Sequence, residues 1–456
     1  MQTQIFTAHK RHLGMRAPTV LALGFALTIL AGALVLMLPV SAADGQITPF
    51  LDALFTAASA SCVTGLVTVS TAVHWSVFGK CVILLLIQIG GLGFMSVAAI
   101  ASFVLRRTIT LHERMVMSAG LNLSDGGGIV RLTRRVLFGT FIIEGTGAVL
   151  LSCRFVPHYG FPKGITMGVF HAVSAFCNAG FDLMGTPDDP FQSLIGWAED
   201  PLVNITLMAL IVLGGLGFFV WSDVWDKHSF CRLRLHTKIV LTATAGLLLF
   251  GFGWTLLFEW SNPATLGAFD TPHKLLAAAF ESVTLRTAGF NTIDLGALTG
   301  PSQAVSCLLM FIGGSPGSTA GGIKTVTAAV LVLTAISAFC GRTTVSAFGR
   351  TIAPRSIMNA VTLLMAGGVL CLVGACAIAG IEDAPFHQCL FEAVSAFGTV
   401  GVSMGLTPTL AAASRVILIV MMYMGRVGVL TLGVAVFMRR REPPRLKYPD
   451  ADVFIG

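Results

Sequence analysis

Charged side chains are scarce in this chain. Only 11% of its 456 residues are Asp, Glu, Lys or Arg, whereas 55% are hydrophobic. Soluble domains usually carry about a quarter charged residues. The composition therefore excludes an ordinary soluble enzyme, a disordered chain and a typical nucleic-acid binder. A chain of this length has room for several membrane spans of about 20 residues each.

Motifs that bind metals or nucleotides are also lacking. The ten cysteines are scattered, with no Cys-x-x-Cys pair and no Cys/His set at zinc spacing. We interpret them as small apolar packing residues. The sequence contains no Gly-x-Gly-x-x-Gly and no P-loop motif, which are the patterns that cradle phosphates. We therefore predict that this chain has no organic cofactor and no nucleic-acid partner, and that any nucleotide control comes from another chain.

Long apolar runs are present instead. They predict eight membrane-spanning helices, near residues 18–40, 76–104, 130–152, 202–222, 237–258, 303–338, 357–381 and 415–438. The first run has an alternative, because Lys10, Arg11 and Arg16 precede it and Val40-Ser41-Ala42 resembles a signal-peptide cleavage site. We favour a span, since 23 residues from Pro18 to Val40 are long for a signal core.

The basic residues are unevenly distributed between the two sides of the predicted membrane. Lys and Arg on the side of the termini outnumber those on the opposite side by 21 to 6. Because cytoplasmic loops carry the excess of Lys and Arg, both termini are predicted to be cytoplasmic. Fourteen of the 22 acidic residues fall on the outer side, and an electronegative mouth concentrates cations. The positive-inside rule alone is the alternative explanation.

One segment recurs four times, at residues 55–65, 170–180, 280–289 and 391–401. Each begins with Phe and ends with Gly, and the glycines are 115, 109 and 112 residues apart. We predict a short re-entrant helix followed by a loop, with the negative helix ends pointing at one axis. Backbone carbonyls of such loops replace the hydration shell of a cation. Close packing of helices at small residues is the alternative.

The candidate filter residues are Cys62, Val63, Thr64 and Gly65; Cys177, Asn178, Ala179 and Gly180; Arg286, Thr287, Ala288 and Gly289; and Gly398, Thr399, Val400 and Gly401.

The second span of each repeat carries a related glycine motif. It reads Gly-Gly-Leu-Gly at 90 and 214, Gly-Gly-Ser-Pro-Gly at 313, and Gly-Arg-Val-Gly at 425. The third copy cannot stay helical, so we predict a polar loop that interrupts span 303–338 and acts as a movable gate; a rigid connector is the alternative. Arg426 lies inside a predicted span and is therefore a functional candidate. It would act as an electrostatic barrier to cations or bind the carbonyls of the broken helix. The alternative is a hydrogen-bond network that only packs helices together. Lys324 either joins the gate or reaches the inner interface. The candidate gate residues are Gly313, Gly314, Ser315, Pro316, Gly317, Ser318, Thr319, Ala320, Gly321, Gly322, Lys324 and Arg426.

These motifs resemble those of the KtrB-type potassium-translocating subunits of the Trk/Ktr/HKT superfamily. The match is carried by Val63-Thr64-Gly65-Leu66, Asn178-Ala179-Gly180-Phe181-Asp182, Arg286-Thr287-Ala288-Gly289-Phe290, the third-repeat loop and Gly398-Thr399-Val400-Gly401. The resemblance implies potassium uptake, often stimulated by sodium, by a homodimer in the bacterial inner membrane. It also implies a cytosolic RCK-type ring that binds ATP or ADP and sets the gate.

The expected architecture is an all-α integral membrane protein. Four pseudo-repeats, each a transmembrane helix, a re-entrant pore helix with its loop and a second transmembrane helix, surround one central pore. We divide the chain into a cytoplasmic tail at 1–17, repeats at 18–104, 105–222, 223–338 and 339–438, and a tail at 439–456. The second repeat includes the cytoplasmic loop before it. The basic C-terminal tail predicts contact with anionic lipid.

Two other classes of function compete with this interpretation. A symporter coupled to sodium or protons also uses broken helices, and Glu144, the one carboxylate predicted at mid-membrane, is its candidate coupling residue. An intramembrane hydrolase would use Gly313-Gly314-Ser315 as a nucleophile turn, but it needs a nearby base, and none of the ten histidines lies within the predicted spans. We therefore predict that the chain is not an enzyme.

Overall fold

A computed structural model describes residues 17–93 and 129–429, together with residues 431 and 433. Within these ranges the chain is helical apart from turns, loops and one short antiparallel hairpin. The hairpin joins Ser346–Ala347 to Arg350–Thr351, with Ser346 opposite Thr351. Residues 1–16 of the predicted tail at 1–17, the predicted tail at 439–456 and residues 105–128 of the predicted second repeat lie outside the described residues.

The helices of the described ranges form four consecutive sets. The first helix of each set is long and apolar, and these four helices have the length and composition of membrane spans: Ala17–Leu36, Ile129–Tyr159, Leu235–Glu259 and Pro354–Ala379. Each presents large apolar side chains outward, with exposed fractions of 66% for Leu27, 69% for Phe138, 71% for Leu249 and 60% for Val373. Such an apolar outer surface suits lipid rather than water. Tyr423 donates a hydrogen bond to the carbonyl of Ala22 at 2.7 Å, so the first helix is packed into the fold.

A shorter helix, here called the half-helix, follows in each set. The four half-helices are Phe50–Cys62, Phe161–Phe176, Thr271–Thr284 and Phe386–Gly398, and none exceeds 16 residues. A bilayer core needs about 20 helical residues, so none of the half-helices is long enough to cross it. They form the centre of the core: Phe55, Phe280 and Phe391 have no exposed surface, and Phe170 has 3%.

The second helix of each set is also shorter than predicted. These helices are Val77–Leu92, Pro201–Leu216, Gly300–Phe311 and Ala412–Val427. Three of them end at a glycine with positive φ: Gly93 at +82°, Gly217 at +93° and Gly428 at +91°. Glycine adopts this conformation readily because it has no Cβ. The last glycine of the repeated motif therefore ends the helix in these repeats.

The predicted span 202–222 is consequently not one straight helix. After Gly217 the chain continues as Phe218–Lys227, bent by 92° from the preceding helix. The predicted span 303–338 divides, as expected, into Gly300–Phe311 and Thr325–Phe339. Residues 94–104 of the second predicted span, and most of the last span beyond 429, lie outside the described residues.

The four sets are arranged cyclically. Each second helix contacts the half-helix of the next set, and the second helix of the fourth set contacts the half-helix of the first. An ion pair of 2.7 Å between Arg415 Nη1 and Asp52 Oδ1 joins the fourth set to the first. This closure brings the four half-helices around one centre, where their C-terminal ends meet.

Candidate cation-conduction site

Four glycine loops follow the half-helices; the name is used here for residues 62–65, 177–180, 286–289 and 398–401. Each contains one non-glycine residue in the left-handed region: Val63 at φ +59°, Asn178 at +59°, Thr287 at +68° and Thr399 at +50°. This conformation is rare, above all for β-branched residues. Its recurrence at equivalent positions in all four loops marks a built feature, because strained backbone of this kind clusters at functional sites.

The glycines that end the loops form a closed ring. The carbonyl oxygen before each glycine faces the glycine of the preceding loop. A Cβ on Gly65 would lie 2.6 Å from the carbonyl oxygen of Ala179, one on Gly180 would lie 2.8 Å from that of Ala288, and one on Gly289 would lie 2.7 Å from that of Val400. A Cβ on Gly401 would overlap the carbonyl oxygen of Thr64. Any side chain at these positions would therefore collide with backbone. The glycines allow four carbonyls to approach one axis.

Hydroxyl side chains of the half-helices hold the glycine loops in place. Ser174, Thr284 and Ser395 donate to the carbonyl of the residue after the loop glycine at 2.7, 2.6 and 2.6 Å. In the first repeat, Ser59 Oγ instead accepts from the amide of Gly65 at 3.0 Å. Sequence reasoning missed these four residues as functional. The available signal was a hydroxyl residue five or six positions before each loop glycine.

The electrostatics of the ring favour positive charge. The C-terminal ends of the four half-helices converge on it, and each helix end carries about half a negative charge. A cavity of about 190 Å³ adjoins the ring, and all four loop glycines line it. Asp182 and Asp294 also line this cavity, whereas no lysine or arginine does. Burial raises the pKa of the Asp182 carboxyl above its usual range, although the Met184 amide donates to it at 2.9 Å.

The side chains of the predicted filter residues point away from the ring. Cys62 and Cys177 are fully buried, and Cys177 Sγ lies 3.6 Å from Gln88 Oε1. Arg286 is also buried, and its Nη2 donates to the carbonyl of Gly313 at 3.0 Å. The ring is therefore built from backbone, and Arg286 connects the third glycine loop to the start of the interrupted helix.

The interrupted segment 313–322 is bound to the second repeat. The amides of Ser315 and Thr319 donate to the carbonyls of Gly215 and Gly214 at 3.0 and 3.3 Å. Thr319 Oγ1 lies 3.0 Å from the Asn178 side-chain amide. Gly321 lies against the fourth glycine loop, because a Cβ there would overlap Thr399. With the bond from Arg286 to Gly313, the segment therefore contacts three of the four glycine loops.

Basic side chains bind carbonyls of the same segment. Arg426 donates to the carbonyls of Thr319 and Gly90, so it joins the third and first repeats as well as its own. Lys324 Nζ donates to the carbonyl of Ala320 at 2.6 Å. Both side chains therefore bind backbone carbonyls of the interrupted segment.

Glu144 is neither isolated nor the only buried carboxylate. Gln88 Nε2 donates to its two carboxylate oxygens at 3.1 and 3.2 Å, and Cys177 Sγ lies 3.9 Å from Oε1. Glu281 and Glu392, on the half-helices, are also buried. The half-helices therefore carry two further carboxylates into the protein interior. The described residues contain no group of three or more His, Cys, Asp or Glu that could hold a metal ion.

Known proteins share this architecture over nearly the whole chain. Residues 6–442 match the TrkH family, described as a cation transport protein. The chain is 42% identical over 439 residues to the Ktr system potassium uptake protein B of Bacillus subtilis, and 40% identical over 441 residues to the potassium/sodium uptake protein NtpJ of Enterococcus hirae, with 96% of each chain covered in both cases. The crystal structure of the potassium transporter TrkH from Vibrio parahaemolyticus has the same fold. Its TM-score is 0.71 at 17% identity, covering 94% of this chain and 86% of that one.

These matches agree with the mostly helical fold and its long apolar helices. The match to the family covers far more than half of the chain, and two relatives exceed 30% identity over almost their full length. The chain therefore belongs to the TrkH family of cation transport proteins, as a multi-pass membrane transporter subunit of the KtrB type and not an enzyme.

Proposed function

We propose that this chain takes up potassium across the cytoplasmic membrane through the ring of four glycine loops, which acts as its selectivity filter. The observation that carries the proposal is the closed ring, in which the carbonyl before each loop glycine faces the neighbouring glycine. Rings of backbone carbonyls replace the hydration shell of a potassium ion. The hydroxyl residues behind the loops would hold these carbonyls in position.

Charge supports a cationic substrate. The negative ends of four half-helices point at the ring, and the adjoining cavity is lined by Asp182 and Asp294 without a basic residue. A cavity with one sign of charge raises the local concentration of the opposite ion. The relatives named above as potassium and potassium/sodium uptake proteins support potassium as the transported ion. We also propose that sodium activates this potassium uptake.

We further propose that segment 313–322 is the gate of this filter. It contacts three glycine loops, and its carbonyls are bound by Arg286, Lys324 and Arg426. These cations occupy oxygens that would otherwise attract a passing ion, and they place positive charge below the ring. Opening would require Arg426 and Lys324 to release the loop. Arg286 would keep the start of the segment attached to the filter.

The assembly and its orientation follow the same proposal. The subunit would act as a homodimer in the bacterial inner membrane, with both termini in the cytoplasm and the cavity next to the ring open to the outside. A cytosolic RCK-type ring that binds ATP or ADP would set the gate. The four repeats would extend over 18–104, 105–222, 223–338 and 339–438, as the sequence predicts.

Cation flux into proteoliposomes that contain the purified chain tests the proposal. We expect rubidium and potassium uptake that exceeds sodium uptake, and we expect Gly65→Ser to reduce this preference. Gly45→Ser is the matched control, because Gly45 also has positive φ, at +70°, but has no neighbour within 4 Å. Absence of cation flux, both alone and with an added RCK-type partner, would refute the proposal.

A symporter is the second candidate function. The observation in its favour is Glu144, a buried carboxylate that contacts Gln88 and lies beside Cys177 of the second glycine loop. A proton taken up there would act directly behind the filter. Uptake that requires a proton gradient, and that loses this requirement in Glu144→Gln, would favour the symporter. Uptake that follows the potassium gradient alone would favour a channel-like path.

A further inference from the structure

One position on the half-helices supports the backbone that follows the glycine loop in two of the four repeats. In the second repeat it is His171, whose Nε2 accepts from the amide of Leu183 at 3.3 Å. In the fourth repeat it is Glu392, whose Oε1 accepts from the amide of Met404 at 3.2 Å and from the Ser403 hydroxyl. The two residues stand at the same place in the repeat and make the same backbone contact. The position therefore connects the half-helix to the outer part of the filter.

In the third repeat this position is Glu281, and the contact is missing. Glu281 is 1% exposed, and neither of its carboxylate oxygens has a hydrogen-bond partner among the described residues. No ion pair to Glu281 occurs there either. A buried carboxylate without a partner is strongly unfavourable. A ligand from outside the protein chain would satisfy it.

Two further unpartnered oxygens belong to the same part of the third repeat. Thr284 makes the same hydroxyl-to-carbonyl bond as its counterpart Ser395, at 2.6 Å in both repeats, which fixes the equivalence of the two backbones. Asn291 and Thr292 therefore occupy the positions whose fourth-repeat counterparts bind Glu392. Asn291 Oδ1 and Thr292 Oγ1 are buried and, like Glu281, find no hydrogen-bond partner in the described part of the chain.

The surroundings of Glu281 add negative potential. Glu259 acts electrostatically on Glu281. Its own oxygens are already satisfied, because Oε1 accepts from the amide and hydroxyl of Thr299 at 3.0 and 2.7 Å, and Oε2 accepts from Asn262 and Thr265, both at 2.7 Å. Glu259 is therefore not available as a ligand. It increases the attraction of this region for a cation.

We propose that Glu281, Asn291 Oδ1 and Thr292 Oγ1 bind a sodium ion behind the third glycine loop. The set consists of oxygens alone, and oxygen ligands select hard cations. A single free carboxylate matches a single positive charge. A carboxylate also attracts the smaller of two monovalent ions more strongly, because the charges approach more closely. The ion would replace the support that His171 and Glu392 give to their own loops.

This inference deepens the proposed function, on which its consequence for transport rests. With the site filled, the third loop and Gly289 would be fixed in the ring, so sodium would activate potassium uptake without being transported. Binding itself does not depend on transport. The site and the filter are therefore tested separately.

The first experiment is thermal unfolding of the purified full-length protein at a fixed, saturating potassium concentration and constant ionic strength, with sodium as the variable. We expect the unfolding midpoint to rise with sodium in the wild type and in Glu392→Gln, whose carboxylate is already satisfied by the chain. Glu281→Gln should abolish the rise. Thr292→Val, which removes one ligand oxygen with little change in shape, should raise the half-saturating sodium concentration at least about tenfold.

Rubidium uptake with and without sodium is the second measurement. Uptake without sodium tests the filter, and its stimulation by sodium, lost in Glu281→Gln, tests this site. A sodium-dependent midpoint that is unchanged in Glu281→Gln would overturn the inference, as would a wild-type midpoint that ignores sodium. In either case Glu281 would be a protonated, neutral carboxyl group.

Discussion

Replacing Gly289 by alanine separates the requirement for space in the ring from the requirement for a positive φ. A Cβ at Gly289 would lie 2.7 Å from both Val400 O and Gly180 Cα, whereas ordinary contact begins at 3.4 Å. The Val400 carbonyl would have to move away by the difference between these two distances, about 0.7 Å, because neither contact is a flexible side chain. Since an interaction with a charged group is worth about 1.5–3 kcal/mol, losing this oxygen should weaken potassium binding roughly 10- to 100-fold.

The chain offers a closely matched control in Gly405→Ala. Gly405 has φ +88° and Gly289 has φ +89°, but a Cβ at Gly405 has nothing within 4 Å. Both variants carry the same backbone penalty of about 1–2 kcal/mol for a side chain in the left-handed region. Thermal unfolding should therefore shift downward in both, while only Gly289→Ala should lose rubidium uptake and its preference over sodium.

The assay is rubidium and sodium flux into proteoliposomes at equal protein density, with the half-saturating rubidium concentration measured for each variant. Wild-type uptake and selectivity in Gly289→Ala would refute the argument that backbone crowding at the ring sets ion coordination. Equal losses of uptake in both variants would also refute it, since the cause would then be backbone strain and not the position of a carbonyl.

Three further changes have defined outcomes. Arg426→Gln removes charged hydrogen bonds that hold segment 313–322, each worth about 1.5–3 kcal/mol. Rubidium uptake without a cytosolic partner should therefore rise at least about tenfold. Unchanged uptake would contradict the proposal that this segment is a gate. Glu144→Gln should leave the dependence of rubidium uptake on the proton gradient unaltered, because this carboxylate is bonded to Gln88 within the protein; loss of that dependence would support the symporter. Asp200→Ala removes the cap that accepts two amide hydrogen bonds at the start of helix Pro201–Leu216 and should lower the free energy of unfolding by about 1–2 kcal/mol. Glu199→Ala, which changes an exposed neighbour, should not, as thermal denaturation would measure.

Much of the site could be predicted from repetition alone. Phe and Gly at fixed spacing located all four half-helices and all four glycine loops, and the composition of 313–322 predicted the interrupted helix. The bend at Gly217 was missed, although the same glycine motif marks it. A glycine that ends a helix and one that packs inside a helix look alike in sequence, because the difference lies in the backbone torsion that neighbouring repeats impose.

The sequence by itself determined the four long apolar helices, the family and the repeated half-helix with its glycine loop, because these follow from composition and from local spacing along the chain. Only the tertiary structure decided which groups meet. Arg426 bonds to Gly90 and Thr319, and Glu281 is left without a partner while its counterpart Glu392 is bonded. The first outcome joins groups that are more than ten residues apart in sequence, and the second depends on a contact that does not form. Hydrophobic periodicity determines which side of each helix is directed to the membrane. The closure of four repeats around one centre determines which groups each buried charged side chain contacts.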